Sequence, residues 1–186
     1  RWMATIQHAP GIAEMVTAFA RLTKSISKGT QKLVPLQEEL ALLNDYFTIQ
    51  QYRYGGDLEI EVSRIESETL CRDCMIPRFT LQPLVENAVE HDITANRGGD
   101  LWVRAYRQTD KVVLEVEHDG TLTQEDRQKI QSLLAQSAQG AAAGGQAGLR
   151  NVSQRLNLIY GDEGTLMLDQ TRAGTVLARV AIPAGQ

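Results

Sequence analysis

Residues 81–91 read Leu81-Gln82-Pro83-Leu84-Val85-Glu86-Asn87-Ala88-Val89-Glu90-His91, and they are the most informative part of this chain. Apolar residues recur there with the spacing i, i+3, i+4, i+7 and i+8, which predicts a helix with one buried side. Pro83 is compatible with such a helix only in the first turn. We expect the helix to run from about Phe79 to Ile93.

The other side of this predicted helix carries an unusual set of polar residues. The amide of Asn87 follows directly after the carboxylate of Glu86, and the imidazole of His91 comes one turn later. Mg²⁺ prefers oxygen ligands and usually keeps several waters, so an Asn beside a Glu can hold this ion next to a phosphate. The alternative is a half-buried helix with a polar outer side, which spacing alone does not exclude.

Two further helices are predicted near the start of the chain. Apolar residues at helical spacing between Ile12 and Ile26 predict the first, which Gly29 ends. The second follows Pro35, has acidic residues in its first turn, and carries apolar residues from Leu36 to Phe47. This pattern is typical of helices that pack on a partner helix or on a second copy of the chain.

Strand patterns and more helices fill the rest of the chain. Alternating apolar residues predict strands, and two of them form a hairpin around residues 108–111. This order of elements predicts an α+β fold, a two-layer α/β sandwich with a mixed, antiparallel-rich sheet and helices on one face. The predicted strands are 57–63, 101–106, 112–116, about 164–169 and 175–182, and the predicted helices are 123–136 and 148–159.

Residues 139–146 contain only Ala, Gly and Gln. They have no periodicity and little side-chain bulk, which predicts a mobile segment. This segment is either a flexible linker or a mobile flap over a ligand.

Length, charge and cysteine content limit the classes of protein to which the chain can belong. A length of 186 residues with 42% hydrophobic residues suits one packed domain, or one with an appendage. The net charge of −4 argues against a nucleic-acid-binding surface, and no apolar run is long enough to span a membrane. Cys71 and Cys74 lack a second pair of ligands for zinc, and so few cysteines fit a cytoplasmic location.

Residues 81–91 resemble the N-box of sensor histidine kinases of the LytS/YesM type, within the GHKL superfamily. Residues 148–161 resemble the glycine box and the helix after the ATP lid, and residues 174–183 resemble the final strand. Residues 38–55 resemble the stretch that joins the phosphoacceptor helices to the catalytic domain. The resemblance therefore spans nearly the whole chain, in the right order.

This resemblance implies the Bergerat ATP-binding fold for a catalytic domain at residues 56–186. Residues 1–55 would be the end of the helical dimerisation and phosphoacceptor region. The implied cofactors are ATP and Mg²⁺, and the implied partners are a response regulator and a second copy bound through the N-terminal helices. The γ-phosphoryl would pass from ATP to a His and then to a response-regulator Asp.

The resemblance places the acceptor His in a Pro-His-Phe segment, which this sequence lacks. The chain begins at Arg1-Trp2 without an initiator Met, so we expect an excised fragment with the acceptor His upstream. Such a fragment should bind ATP at the cytoplasmic face of the membrane but not phosphorylate itself alone. A membrane-anchored sensor half would also lie upstream.

The resemblance assigns roles to single residues. Asn87 would ligate the Mg²⁺ that bridges the phosphates. Glu86 is the candidate catalytic residue, acting on a metal-bound water or on the acceptor proton, and its alternative role is helix solubility. His91 would donate to a phosphate or interact with the helix dipole. The other candidate nucleotide-binding residues are His118, Asp119, Gly120, Gly144, Gly148, Leu149, Arg150, Asn151, Arg155, Gly174 and Thr175.

For two groups of these candidates, the helix start at Gly148 and the pair Gly174 and Thr175, there is also an alternative role. A glycine at a helix start with nearby arginines makes an anion site of backbone N–H groups and guanidinium, or simply a tight helix start with solvated arginines. The resemblance puts Gly174 and Thr175 near the base of the nucleotide, whereas the alternative is an ordinary strand start.

Four departures from the family pattern bear on activity. Glu90 stands where a Lys is frequent, and Gln146 replaces the middle glycine of the glycine box. In the adenine-reading Asp-Asn-Gly-x-Gly stretch, which corresponds to residues 118–122, either Asp119 has taken over by a shift or His118 reads the base differently. Leu122 stands at the second glycine of that stretch. These departures leave a degenerate, non-catalytic dimerisation and signalling module as the alternative function.

One further feature, apart from these departures, separates two kinds of chemistry within the fold. Gyrase-type ATPases carry a water-activating Glu where this chain has Pro83, which favours phosphotransfer over hydrolysis.

Overall fold

The computed structural model of the protein describes residues 10–27, 32–54, 59–67, 73–93, 98–135 and 147–184. The helices are α1 (Pro10–Ser27), α2 (Leu36–Tyr54), α3 (Leu81–Ala88), α4 (Gln124–Ala135) and α5 (Ala147–Tyr160). The strands are β1 (Leu33–Pro35), β2 (Glu59–Ser67), β3 (Met75–Pro77), β4 (Gly98–Gln108), β5 (Lys111–His118), β6 (Thr165–Gln170) and β7 (Val176–Pro183).

The main sheet has five strands in the order β2-β4-β5-β7-β6. Strand β2 runs parallel to β4, and the other neighbouring strands are antiparallel. The predicted mixed, antiparallel-rich sheet is therefore confirmed. The predicted hairpin is β4–β5, in which Gln108 pairs with Lys111 across a turn where Thr109 has a φ of 56°. Strands β1 and β3 form a separate two-stranded sheet.

The helices cover one face of the main sheet. Helix α3 contacts β5, and α5 contacts β6 and β7. Buried side chains alternate with half-buried or exposed ones along β4 and β7, because successive residues of a strand point to opposite faces. The inner face, with the buried side chains, joins α2, α3 and α5 in one hydrophobic core.

Helix α2 lies between α1 and the rest of the protein. It contacts both α1 and α3, and the apolar residues from Leu36 to Phe47 belong to the main core. The predicted stripe on α1 is divided: Met15 and Leu22 are half-buried, whereas Ile12 and Phe19 are exposed. One side of α1 is therefore packed on α2, and the other side is exposed; packing on a second copy stays a prediction.

The structure corrects the predicted helix of residues 79–93 at both ends. Phe79 has a φ of 58°, outside the helical region, so the helix begins at Leu81 and not at Phe79. The α-helical hydrogen bonding ends at Ala88, and residues Val89–Ile93 form a π-helix. A periodicity argument assumes regular α-geometry, so it cannot detect this change, which is frequent at functional sites.

Several predictions fall outside the described residues. The proposed flap at residues 139–146, including Gly144, is one, and Gly29 and Cys71 are others. None of the described helices is both long enough and apolar enough to cross a membrane.

Candidate functional site

The start of α5 packs directly against the first turn of α3. A Cβ built on Gly148 would lie 3.1 Å from Pro83 Cβ, a separation that few real Cβ atoms show. The glycine therefore lets the two helices approach each other closely. This contact brings the N-terminal N–H groups of α5 close to the N-box helix, and such groups form anion sites.

The polar side of α3 carries the candidate metal and catalytic residues. Asn87 and Glu86 are both half-buried. Gln82 donates from Nε2 to Glu86 Oε1 at 2.8 Å, so the predicted catalytic carboxylate is held by its own helix. Gln82 Oε1 is buried and accepts no hydrogen bond from the described residues.

His91 lies in the π-helical segment, three residues after the end of α3. Its backbone is described and its side chain lies outside the described part of the structure. Because the π-helix repeats at i to i+5, the i to i+4 spacing that placed His91 on the edge of Asn87 does not hold here. Glu90 in the same segment is exposed.

His118 and Asp119 lie at the end of β5 and have different surroundings. His118 is buried, with 2% exposure, and pairs in register with Leu101 and Val176 on the inner face of the sheet. Asp119 instead turns to β4, where its Oδ2 accepts a hydrogen bond from the backbone N–H of Asp100 at 3.0 Å. His118, not Asp119, therefore occupies the buried inner-face position.

The tautomer of His118 follows from its neighbour. Nδ1 lies 3.0 Å from the carbonyl oxygen of Asp119. A carbonyl only accepts hydrogen bonds, so Nδ1 carries the proton and Nε2 is an acceptor in the neutral ring. Gly120 follows directly and is half-buried.

The N-box segment reaches this end of β5. A Cβ built on Gly99 would lie 3.3 Å from Asp119 Cβ and 3.7 Å from Ile93 Cγ1. Gly99 also has a φ of 153°, which side chains rarely adopt. The glycine thus permits β4 to lie between Asp119 and the end of the π-helix.

Gly174 and Thr175 form the turn between β6 and β7. Gly174 is exposed with a φ of 92°, so its conformation favours glycine. The hydroxyl of Thr175 donates to Glu117 Oε1 at 2.5 Å. Glu117 is half-buried and alternates with the inner-face residues Val116 and His118, so this hydroxyl is directed to the outer face.

The candidates on α5 differ in what they can contact. Leu149 is buried in the main core, so only its backbone N–H is offered to a ligand. Arg150 is half-buried and Asn151 is exposed. Arg155 is engaged elsewhere, because its Nη1 donates to the carbonyl oxygens of Arg78 and Phe79.

Sequence reasoning missed Glu39, which caps the N-box helix from α2. Glu39 is buried, with 2% exposure, and its carboxylate accepts hydrogen bonds from the backbone N–H groups of residues 79–81 at 2.7–3.2 Å. Burial raises the pKa of Glu39, while these N–H groups and Arg78 oppose that shift. The available signal was a carboxylate at an apolar-stripe position, three residues after Leu36 and four before Leu43.

The residues present suit Mg²⁺ held together with phosphates. The described residues contain no cluster of three or more His, Cys, Asp or Glu side chains that could hold a metal alone. Mg²⁺ is normally held by one or two protein oxygens together with water and substrate phosphates. The half-buried Asn87 amide supplies one such oxygen, on a helix whose first turn packs against the start of α5.

Comparison with known proteins shows similarity to histidine kinases. The family model described as histidine kinase matches residues 1–58. The sensor histidine kinase/phosphatase LytS of Staphylococcus aureus is 29% identical over 147 residues. This match covers 78% of the chain and 24% of LytS, so the chain spans about a quarter of the length of its curated relatives.

Solved structures identify the fold. The catalytic domain of histidine kinase ThkA superposes with a TM-score of 0.59 at 16% identity, covering 82% of this chain and 95% of that domain. The mycobacterial sensor histidine kinase MprB gives a TM-score of 0.53 at 17% identity, covering 83% and 97%. The predicted two-layer sandwich is thus the fold of histidine kinase catalytic domains. The chain is therefore similar in sequence to sensor histidine kinases of the LytS type and has the fold of histidine kinase catalytic domains.

Proposed function

We propose that this chain is the catalytic and ATP-binding part of a two-component sensor histidine kinase. In this proposal it binds ATP with Mg²⁺ and delivers the γ-phosphoryl group to a His on an upstream helix. A response-regulator Asp would then receive the phosphoryl group. The observation that carries the proposal is Asn87, half-buried on a short helix that packs against the glycine start of α5.

The contribution of this chain to the reaction would be positioning and charge neutralisation. Bound Mg²⁺ would supply positive charge that offsets the charge developing on the phosphates. Asn87 would orient this ion through its amide oxygen, and the first N–H groups of α5 would face the phosphates. Glu86, held by Gln82, would accept a hydrogen bond from a metal-bound water or take up the proton of the acceptor.

His118 is the residue we assign to the base. The resemblance places an accepting carboxylate there, which would take a hydrogen bond from the amino group of adenine. The neutral tautomer of His118 offers an acceptor at Nε2, because Nδ1 is bonded to Asp119. In this assignment a histidine nitrogen takes the place of a carboxylate oxygen as the acceptor, and the amino group of adenine is the donor in both cases.

The first prediction concerns Asn87 and tests the proposal directly. We expect Asn87→Ala to lower the affinity for a non-hydrolysable ATP analogue at least about tenfold in the presence of Mg²⁺, because one metal ligand is lost. Without Mg²⁺ the two proteins should differ little. Isothermal titration calorimetry with and without Mg²⁺ measures both quantities.

A matched control separates this effect from a general loss of amide groups. Asn157 is exposed on α5, and Asn157→Ala should leave both affinities unchanged. Equal affinity of the parent and Asn87→Ala in Mg²⁺ would reject the metal site.

A second candidate function rests on the departures at the base end. His118 replaces the usual carboxylate, and the Asp119 carboxylate is already bonded to the backbone of β4. A degenerate module for dimerisation and signalling would show no nucleotide binding in the same titration, even at millimolar analogue. Micromolar binding that depends on Mg²⁺ would exclude it.

A further inference from the structure

The turn that precedes the N-box helix is held from two sides by other helices. Its N–H groups at residues 79–81 donate to the Glu39 carboxylate of α2. Its carbonyl groups at Arg78 and Phe79 accept hydrogen bonds from Arg155 Nη1 of α5. Phe79 is therefore bonded to α2 through its N–H and to α5 through its C=O.

The backbone at Phe79 needs this support. Its φ of 58° is an outlier for a bulky side chain, and such conformations persist only where the surroundings hold them. The side chain of the neighbouring Thr80 makes no cap hydrogen bond, and its hydroxyl donates to the carbonyl oxygen of Pro77. The geometry of the turn thus depends on groups that come from distant helices.

The side chain of Arg78 adds a second link to α2. It is buried, with 4% exposure, and its guanidinium forms an ion pair with Glu38. The same guanidinium lies 5.6 Å from the centre of the Phe79 ring, within the range of a cation–π contact. Two adjacent carboxylates of α2 therefore hold the turn, Glu38 through the Arg78 side chain and Glu39 through the N–H groups of residues 79–81.

The short N-box helix joins this turn to Asn87, the candidate Mg²⁺ ligand. Helix α3 has eight residues, which corresponds to about 12 Å at 1.5 Å per residue, and Asn87 lies in its last turn. Any change in the direction of the capped end displaces Asn87.

We propose that Glu39 and Arg155 are positioning residues that clamp the Phe79 turn, and that this Phe79 clamp couples α2 to the Asn87 site. Movement of α2 would pull on the cap and displace Asn87 relative to the start of α5. The positioning is independent of any ligand, whereas its effect on nucleotide rests on the proposed function. The clamp also gives Arg155 a role other than the predicted contact with phosphate.

The second prediction follows from the clamp and requires no nucleotide. We expect Glu39→Gln to shift the NMR resonances of the Asn87 side-chain amide and to reduce hydrogen-exchange protection at residues 79–81. The reason is that Gln replaces one of the two accepting oxygens of Glu39 by an NH₂ group, which cannot accept a hydrogen bond from a backbone N–H. Arg155→Met, which removes the donor on the other side, should shift the same Asn87 resonances.

The matched control is Asp45→Asn, the same chemical change on the same helix. Asp45 bonds Arg21 of α1 and not the Phe79 turn, so this variant should leave the Asn87 resonances in place. Unchanged Asn87 resonances in both clamp variants, with protection lost at residues 79–81, would reduce the clamp to a local cap and overturn the proposal. If Glu39→Gln does not fold, Arg155→Met alone decides the result.

Titration with an ATP analogue tests whether the clamp affects nucleotide binding. For Glu39→Gln we expect the ratio of ATP-analogue affinities with and without Mg²⁺ to fall about tenfold, comparable to losing one charge-assisted hydrogen bond. A parent-like ratio in this variant would overturn the coupling. A parent chain that binds no nucleotide would reject the proposed function, and the Asn87 resonances would still decide the clamp.

Discussion

At the scale of single residues, close approach between two helices depends on Gly148 having no side chain. Pro83 is rigid, and its Cβ lies 3.1 Å from the position that a Cβ on residue 148 would take. Pro83 therefore does more than fit the first turn of α3, because it also forms the surface that α5 packs against. The two residues set the distance between the N-box helix and the N-terminal end of α5.

The third prediction is that Gly148→Ala destabilises the protein by about 1 kcal/mol. Overpacking costs roughly 1–3 kcal/mol, and the better helix propensity of Ala returns up to about 1 kcal/mol. Urea unfolding of the parent and the variant measures this difference in the free energy of unfolding.

A second substitution identifies the cause of the Gly148→Ala effect. In a Pro83→Gly background the contacting Cβ is gone, so Gly148→Ala should cost less there than in the parent. Equal costs in both backgrounds would show that contact with Pro83 is not responsible.

At the scale of elements, the outer face of the sheet is held together by charged groups in three strands. Glu115 of β5 has only 4% exposure and accepts hydrogen bonds from Arg104 of β4, Arg179 of β7 and the hydroxyl of Tyr106. Burial alone would raise the pKa of Glu115, but these hydrogen bonds outweigh it, and the pKa lies below its ordinary value. The ionised carboxylate is therefore part of the folded state.

The fourth prediction is a pH dependence that originates at Glu115. A carboxyl with a lowered pKa stabilises the fold above the unfolded value of about 4.3 and loses that contribution as the pH falls through the folded value. Glu115→Gln should be less stable than the parent at pH 7, and the difference in the free energy of unfolding should shrink as the pH falls below the unfolded value of about 4.3. Urea unfolding across this range measures the gap.

The control for Glu115 is a carboxylate on the protein surface. The side chain of Glu125 is 76% exposed and pairs with Lys129 on α4. Surface pairs of this kind contribute little to stability. Glu125→Gln should therefore differ little from the parent at every pH, whereas a constant gap for Glu115→Gln down to pH 3 would contradict the prediction.

At the scale of the whole molecule, α1 presents an uncovered apolar side. Ile12, Val16 and Phe19 have exposures of 54%, 37% and 63%, and they follow one another at i, i+4 and i+7. The opposite side of α1 packs on α2, which joins the main core. Such a stripe suits a helix of a second copy, as the proposed dimer through the N-terminal helices requires.

The fifth prediction is that Phe19→Glu weakens self-association without unfolding the chain. A charge placed in an apolar helix contact opposes dimerisation, while an exposed position tolerates it in the monomer. Sedimentation velocity over a range of concentrations measures the association. Leu158→Glu is the control, because Leu158 is 85% exposed on α5, far along the chain from the stripe. A variant Phe19→Glu that associates like the parent would contradict the proposed dimer face.

Much of the fold followed from the sequence because helices and strands leave periodic patterns in neighbouring residues. The buried sides of α3 and α5, the hairpin β4–β5 and the mixed sheet could all be predicted in this way. The resemblance to the sensor histidine kinases could also be recognised from the order of the motifs, because each motif consists of neighbouring residues. The place of Asn87 on the polar side of its helix needed nothing beyond spacing.

Contacts between residues far apart in the chain had no such pattern and required the tertiary structure. Glu39 looked like a first-turn acid of α2, yet it caps a helix that begins 42 residues later. Arg155 looked like a phosphate ligand, yet it bonds the carbonyl groups of another helix's first turn. The strained φ of Phe79 and the π-helix after Ala88 likewise depend on packing, because hydrogen bonds from distant helices support conformations that local preference disfavours.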